Sequence, residues 1–170
     1  HAAAYDLDLQ RVVGTGHSAG GHLVTWLATR AALPEESSLA SSDPLAFKGV
    51  INSGGLADLE LSVQVTQNDC LGAIVDDLTG TASEARTDVF SDTSPARLLP
   101  VPGVFYSVSG DMDRISPPGL ASAMARLNRS AGGSGKAVII AGNNHVDLIA
   151  PGTAAWDTQA DLLQEMLRAP

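Results

Sequence analysis

Four short apolar runs, each followed by glycine, serine or asparagine, are spaced along the 170-residue chain. They do not alternate polar with apolar positions, which is the pattern of strands buried on both faces. The predicted strands cover residues 11–14, 49–53, 103–108 and 137–141. Three segments carry apolar residues at helical spacing, such as Leu23, Trp26 and Leu27 in the first of them; these predicted helices cover residues 20–32, 118–129 and 153–168. Strands that alternate with helices predict an α/β fold around a parallel sheet.

Residues 55–93 interrupt this alternation. The segment contains several aspartates and no strong strand pattern, with weak helical patterns near 70–78 and 82–89. Connections of this length are usually functional or disordered. We expect a small cap or lid inserted after the second strand, with a solvated excursion as the alternative. The apolar residues that either shape a substrate pocket or form the core of the cap itself are Leu71, Ile74 and Val75.

Gly16-His17-Ser18-Ala19-Gly20 matches the pattern G-x-S-x-G at the junction of the first predicted strand and the first predicted helix. A serine nucleophile in this context sits on a sharp strand-to-helix turn, which exposes its Oγ atom. We expect the flanking glycines, Gly16 and Gly20, to let the turn close without a Cβ clash. His17 lies within the turn and is expected to pack or to hydrogen-bond locally.

A nucleophilic serine needs a base, and the base needs a carboxylate that orients it. His145 follows the last predicted strand, and functional residues gather at the carboxyl ends of parallel strands. His22 is expected to be a packing or hydrogen-bonding residue in the first helical turn. Asp111 and Asp113 follow the third strand and are both candidates for the acid, although Asp111 could instead cap the turn. Asp147 would point elsewhere if the loop is extended.

The chain order serine, aspartate, histidine is that of the α/β-hydrolases, and it differs from the orders in chymotrypsin and subtilisin. Residues 11–23, with the sequence RVVGTGHSAGGHL, resemble the nucleophile turn of the esterase and kynurenine-formamidase-like (BD-FAE-like) branch of that superfamily. His17 and His22 favour this branch over the hormone-sensitive-lipase branch, which typically has aspartate and asparagine at those positions.

Two further segments carry the resemblance. The pattern G-x-x-D-x-x-x-P over residues 110–117 resembles the acid loop of this branch and favours Asp113 over Asp111. Residues 144–147, Asn-His-Val-Asp, resemble its histidine loop. The resemblance implies a three-layer α/β-hydrolase fold whose catalytic triad is Ser18, His145 and Asp113.

One departure from the family pattern lies before the nucleophile turn. The family has earlier strands and an oxyanion loop there, whereas only ten residues precede Arg11. We therefore expect residues 1–170 to form a single, partial domain whose strands correspond to strands five to eight of the full sheet. The resemblance implies that the backbone N–H of Ala19 is one oxyanion donor. The loop that normally supplies the second is not in the chain, and losing one donor typically costs about 10²–10³ in rate.

The resemblance implies a serine hydrolase that cleaves carboxylic esters, or related acyl bonds, of a small-molecule substrate through an acyl-enzyme. No metal and no organic cofactor is needed for this chemistry. An arylformamidase acting on amides of the N-formylkynurenine type is an alternative, because pocket shape decides between the two. An alternative of another class is a non-catalytic interaction module or an inert fragment, since the oxyanion loop is not in the chain.

Composition narrows the partners further. Ten Lys and Arg stand against 19 Asp and Glu, so the net charge is −9, which argues against binding to nucleic acid or to an anionic membrane surface. Cys70 is the only cysteine, which excludes an intrachain disulfide and a multi-cysteine metal site. No apolar run reaches the roughly 18 residues of a membrane-spanning helix. The cytoplasm is the default location, although a missing N-terminus would hide an export signal.

Overall fold

A four-stranded sheet with every strand parallel to its neighbours forms the centre of the computed structural model, which describes residues 1–66 and 70–168. The strands lie side by side in chain order. They are β1 (Val13–His17), β2 (Gly49–Ser53), β3 (Val104–Gly110) and β4 (Lys136–Ile140). Each predicted run overlaps a strand, although β1 begins two residues and ends three residues later than predicted. The predicted parallel α/β sheet is confirmed.

Five helices flank or follow these strands in the described ranges. They are α1 (Ala19–Thr29), α2 (Leu59–Val65), α3 (Cys70–Thr79), α4 (Pro118–Ser130) and α5 (Ala154–Arg168). A 3₁₀ turn extends α1 to Ala32, so the three predicted helices are present with no end shifted by more than one residue. Prolines at the start of α4 suit a helix N-terminus, because the missing N–H would have no partner there.

Two apolar cores lie on opposite faces of the sheet. Successive residues of a strand point to opposite faces, so Val50 packs into one core and Ile51 into the other. The first core includes Val24 of α1 and Met124 of α4, and the second includes Met166 of α5. The fold therefore has three layers, with α1 and α4 on one face of the sheet and α5 on the other.

The buried face of α1 is not the one that predicted the helix. Val24 and Ala28 enter the core, whereas Leu23 and Leu27 are exposed. The helical period was predicted correctly. The face of α1 that packs on the sheet depends on the orientation of the helix after the turn at Ser18.

The segment 55–93 differs from its prediction in two places. Helix α2 was not predicted, although Asp58 caps it by accepting the N–H of Leu61 at 3.1 Å, which is a common helix start signal. The helix expected near 82–89 is wrong, because Ser83 and Arg86 pair across a tight turn. The Arg86 side chain stabilises that turn by donating to the main-chain oxygens of Thr79 and Val89 and to the Asp92 carboxylate.

The register brings the carboxyl ends of the strands to one edge. His17 pairs with Ser53 and Ser53 pairs with Val108, so β1, β2 and β3 end close together. The backbone ladder continues past the strand ends: the N–H of Ser18 donates to Ser53 at 2.8 Å and that of Gly54 to Val108 at 2.8 Å. The loops that follow the strands are therefore held against one another at this edge.

Candidate active site

Ser18 occupies a strained turn between β1 and α1. Its backbone has φ +53° and ψ −121°, a combination that costs a residue with a Cβ about 1–3 kcal/mol and that clusters at functional sites. Serine at a helix N-cap usually bonds to the N–H groups of the first turn, but the Ser18 side chain makes no such bond. The Ser18 hydroxyl is therefore not engaged as a helix cap.

The glycines around this turn have unequal roles. A Cβ at Gly16 would lie 2.1 Å from the carbonyl oxygen of Gly20, so only glycine fits there. A Cβ at Gly20 would meet nothing within 4 Å, so the expected steric need for glycine at this position is wrong. The second close approach is instead at Gly21, whose Cβ would lie 2.5 Å from Oδ1 of Asn52. The sequence could not show this, because Asn52 lies on the neighbouring strand.

The first turn of α1 directs its N–H groups toward the serine. The N–H groups of Gly21 and His22 donate to the carbonyl oxygen of Ser18 at 2.9 and 3.1 Å. The N–H of Ala19 precedes these, and the first N–H groups of a helix have no partner within the helix. They also form the positive end of the helix dipole, which stabilises negative charge. The predicted oxyanion donor thus lies at the helix end beside Ser18.

Asp113 and His145 form a hydrogen-bonded pair. Nδ1 of His145 lies 2.7 Å from Oδ2 of Asp113, and the aspartate side chain is 0% exposed while the histidine is 13% exposed. The other carboxylate oxygen accepts the N–H groups of Ile115 and Ser116 at 2.9 and 2.8 Å. Because the carboxylate accepts Nδ1–H, it holds the imidazole in the tautomer whose Nε2 can take a proton.

The two other candidate carboxylates do not meet the imidazole. Oδ1 of Asp111 accepts the N–H of Gly142 at 2.7 Å, and Oδ2 of Asp147 accepts the N–H of Asn144 at 2.7 Å. Both bonds are exposed and stabilise the loop that carries His145. Of the three aspartates, Asp113 is the one that contacts the His145 ring.

Asn143, which the sequence analysis did not single out, joins the acid loop to the histidine loop. Its carbonyl oxygen accepts the N–H of Met112 at 3.0 Å, and its Oδ1 accepts the N–H of Ala155 at 3.2 Å. A Cβ at Gly110 would lie 2.0 Å from that carbonyl oxygen, so the two loops touch through their backbones. The only signal in the sequence was an asparagine in the short loop between the last strand and His145.

Gly54 lies between the serine turn and His145, and the sequence analysis did not single it out. It follows β2 with φ +59°, and the preceding carbonyl, that of Ser53, accepts the N–H of Ser18. A Cβ at Gly54 would lie 3.1 Å from Cε1 of His145 and 2.9 Å from Cδ1 of Leu148. Glycine therefore lets the imidazole approach the backbone next to Ser18.

The two histidines near the serine are both hydrogen-bonded to main-chain carbonyls of residues distant in the chain. The hydrogen-bonding role expected of His22 is observed, whereas the hydrogen bond of His17 is not local but reaches the histidine loop. Nε2 of His17 lies 2.9 Å from the carbonyl oxygen of His145, and Nδ1 of His22 lies 3.1 Å from that of Leu56. Burial lowers the pKa of both rings below the ordinary value, and the hydrogen bonds oppose this only in part. Both rings are thus neutral at pH 7.

A cavity of about 140 Å³ opens beside Ser18. Its lining is mainly apolar and includes Ile74 and Leu78 of the segment predicted to be a cap. The side chain of Leu71 lies outside the described residues, and Val75 is not among the residues that line the cavity. The remaining lining residues are Ala19, His22, Leu23, Gly54, Leu56, Leu59, Ile115 and Ser116.

Within the described residues, no cluster of three or more His, Cys, Asp or Glu is placed to hold a metal ion. In the same ranges, no helix combines the length and apolar character needed to cross a membrane.

The parallel sheet, the strained serine turn between β1 and α1, and the loops after β3 and β4 define an α/β-hydrolase fold. The chain belongs to the BD-FAE family, whose sequence model matches residues 1–125 and thus well over half of the chain. This agrees with the branch that the sequence resembles. A comparison with curated protein sequences found no match.

Solved structures share the fold at low identity. A truncated carbohydrate esterase from gut microbiota superposes with a TM-score of 0.71 at 20% identity, covering 99% of this chain and 64% of that chain. An acylaminoacyl peptidase bound to a chloromethyl ketone superposes with a TM-score of 0.70 at 17% identity, covering 98% of this chain and 25% of the peptidase. Esterase 2 of Thermogutta terrifontis, phosphoramylated by tabun, superposes with a TM-score of 0.66 at 20% identity, covering 98% of this chain and 58% of the esterase. The chain thus spans less than two thirds of each.

The close approach at Gly54 predicts that Gly54→Ala lowers the free energy of unfolding by about 1–3 kcal/mol, because a Cβ is strained at this φ and meets Leu148 and His145. Gly20→Ala is the matched control, since its Cβ enters open space at a helix start. Urea unfolding followed by circular dichroism measures both. Equal losses for the two variants would contradict the assigned role of Gly54.

Proposed function

We propose that this chain carries the nucleophile, base and acid of a serine hydrolase that cleaves carboxylic esters. The observation that supports this most directly is the buried Asp113–His145 pair at the sheet edge where Ser18 sits in its strained turn. The esterases and the peptidase among the structural neighbours are consistent with hydrolytic chemistry on this fold. Since the chain spans only part of those proteins, the activity is proposed for the whole protein.

In the proposed reaction, Oγ of Ser18 attacks the ester carbonyl carbon while Nε2 of His145 takes the proton of the Ser18 hydroxyl. Asp113 stabilises the imidazolium that forms, and the N–H of Ala19 donates to the oxyanion. His145 then delivers the proton to the leaving alcohol, which leaves an acyl group on Ser18. Water, activated by His145, releases the acid and restores the serine.

The cavity beside Ser18 favours a short acyl group. Its volume of about 140 Å³ is close to that of an engineered apolar cavity of about 150 Å³ that accepts benzene. An acyl chain of about six heavy atoms therefore fits, and a longer chain has to displace the wall formed by Ile74 and Leu78. The substrate class proposed here is a small-molecule ester with a short acyl chain.

A fluorophosphonate probe tests the nucleophile. We expect the intact mass of the protein to rise by one adduct, and peptide mapping to place it on Ser18, because a serine activated by a neighbouring base attacks the phosphorus. Ser18→Ala should remain unlabelled and should lose ester turnover.

Two results would contradict the proposed ester hydrolysis. No adduct on a protein that circular dichroism shows to be folded would favour a non-catalytic module over a hydrolase. Faster cleavage of N-formylkynurenine than of a butyrate ester would replace the esterase by an arylformamidase.

The two aspartates of the acid loop provide a matched pair. Asp113→Asn should lower kcat by about 10⁴, as the corresponding change does in a serine protease, because the amide favours the wrong imidazole tautomer. Asp111→Asn keeps an oxygen that accepts the N–H of Gly142 and should stay within about tenfold of the wild type. Steady-state kinetics with p-nitrophenyl butyrate measure both. The reverse order would assign the acid role to Asp111.

The proposed acyl pocket predicts a change of chain-length preference. Leu78→Ala should raise the octanoate-to-butyrate ratio of kcat/KM about tenfold, because each methylene that gains an apolar contact is worth about 0.8 kcal/mol. Leu127→Ala on α4 is the control, since Leu127 is 40% exposed, against 42% for Leu78, and does not line the cavity. An unchanged ratio in Leu78→Ala would place the acyl chain elsewhere.

A further inference from the structure

His17 joins two loops that the sheet itself does not connect. Ser18 follows β1 and His145 lies in the loop after β4, and these strands lie at opposite ends of the strand order. Nε2 of His17 lies 2.9 Å from the carbonyl oxygen of His145. A carbonyl oxygen only accepts, so Nε2 carries the hydrogen and donates it.

The two imidazoles also touch. The ring centroids of His17 and His145 are 4.5 Å apart and their planes are inclined by 48°. His17 therefore contacts His145 twice, once at its backbone and once at its ring. Both contacts come from the residue that directly precedes the proposed nucleophile.

We propose that His17 is a positioning residue that sets the distance between Ser18 and His145 through its Nε2–H bond to the main-chain oxygen of His145. The inference rests on the proposed function. Reacting groups need to be held within about 0.5 Å of their productive arrangement, and a displacement of about 1 Å can cost about 10²-fold in rate. Asp113 fixes the rotation of the His145 ring, whereas His17 fixes the backbone that carries it.

The charge state of His17 suits this role. Burial lowers its pKa, with the hydrogen bond to His145 opposing the shift, so the ring is neutral at pH 7. A neutral ring places no positive charge beside the imidazolium that forms on His145 during the reaction. Nδ1 of the same ring needs no proton for the contact, because the donating atom is Nε2.

Direct contact with substrate is the competing role for His17. The residue also lines a cavity of about 330 Å³ between β1 and α5, together with Trp156 and Gln159. A contact with bound substrate would change KM, whereas a positioning role changes kcat and the rate at which Ser18 is labelled. The two roles therefore predict different kinetic parameters.

Three substitutions separate the hydrogen bond from the ring. His17→Gln keeps an N–H donor at about the reach of Nε2, His17→Asn is chemically alike but one methylene shorter, and His17→Phe keeps a ring without a donor. We expect His17→Asn and His17→Phe to lower kcat and the fluorophosphonate labelling rate about 10–100-fold, with KM within about threefold. We expect His17→Gln to keep both rates within about threefold of wild type. Urea unfolding verifies that each variant is folded.

Other results overturn the inference. Wild-type kcat in His17→Asn and His17→Phe would show that the bond does not position His145. A His17→Gln variant as slow as His17→Asn would assign the effect to the ring. A raised KM at unchanged kcat would make His17 a substrate contact. If the His17→Phe variant does not fold, the comparison of His17→Gln with His17→Asn tests the inference alone. A wild-type protein that neither labels nor turns over ester would instead refute the proposed function, which keeps the two failures distinct.

Discussion

Parallel pairing of the four strands is the constraint on which the site depends. Because all strands run the same way, their carboxyl ends lie at one edge, and the loops after them have to meet there. The N–H of Ser18 continues the β1–β2 ladder, that of Gly54 continues the β2–β3 ladder, and that of Asp111 donates to Ile140 at 3.0 Å. These backbone hydrogen bonds thus hold the serine turn and the acid loop at the same edge, and side chains such as His17 and Asp111 then fix the histidine loop there.

Close backbone approaches then determine which residues are tolerated at that edge. Asn52 is fully buried in β2, and its Oδ1 accepts the N–H of Gly55 at 2.8 Å. A Cβ at Gly55 would lie 2.2 Å from the same oxygen, and one at Gly21 would lie 2.5 Å away. The amide of Asn52 therefore occupies the space between the start of α1 and the turn after β2. Glycine is required at Gly21 by this neighbouring strand. At Gly55 it is required both by the Asn52 amide three residues earlier and by the backbone of Gly21, which a Cβ would approach to 2.6 Å.

The charges at the site are compensated locally. Asp113 is buried, but its carboxylate receives two backbone N–H groups and the Nδ1–H of His145, which offsets the loss of hydration. His17 and His22 stay neutral because they are buried. A buried carboxylate that is hydrogen-bonded to an imidazole is the arrangement that orients a general base.

The amino-acid sequence by itself determined the strands, the three long helices and the serine turn, because apolar periodicity and the G-x-S-x-G spacing are local properties of the chain. Local spacing failed at residues 82–89, where the bonds of Arg86 to Asp92 and to two carbonyls favour a turn. It also left three aspartates open beside His145. The resemblance of the acid loop favoured Asp113, and the tertiary structure shows that Asp113 meets the imidazole. Only the tertiary structure shows that His17 and Gly54 contact or border the same ring. These contacts join loops from different strands, and their geometry depends on sheet register, which no local pattern encodes.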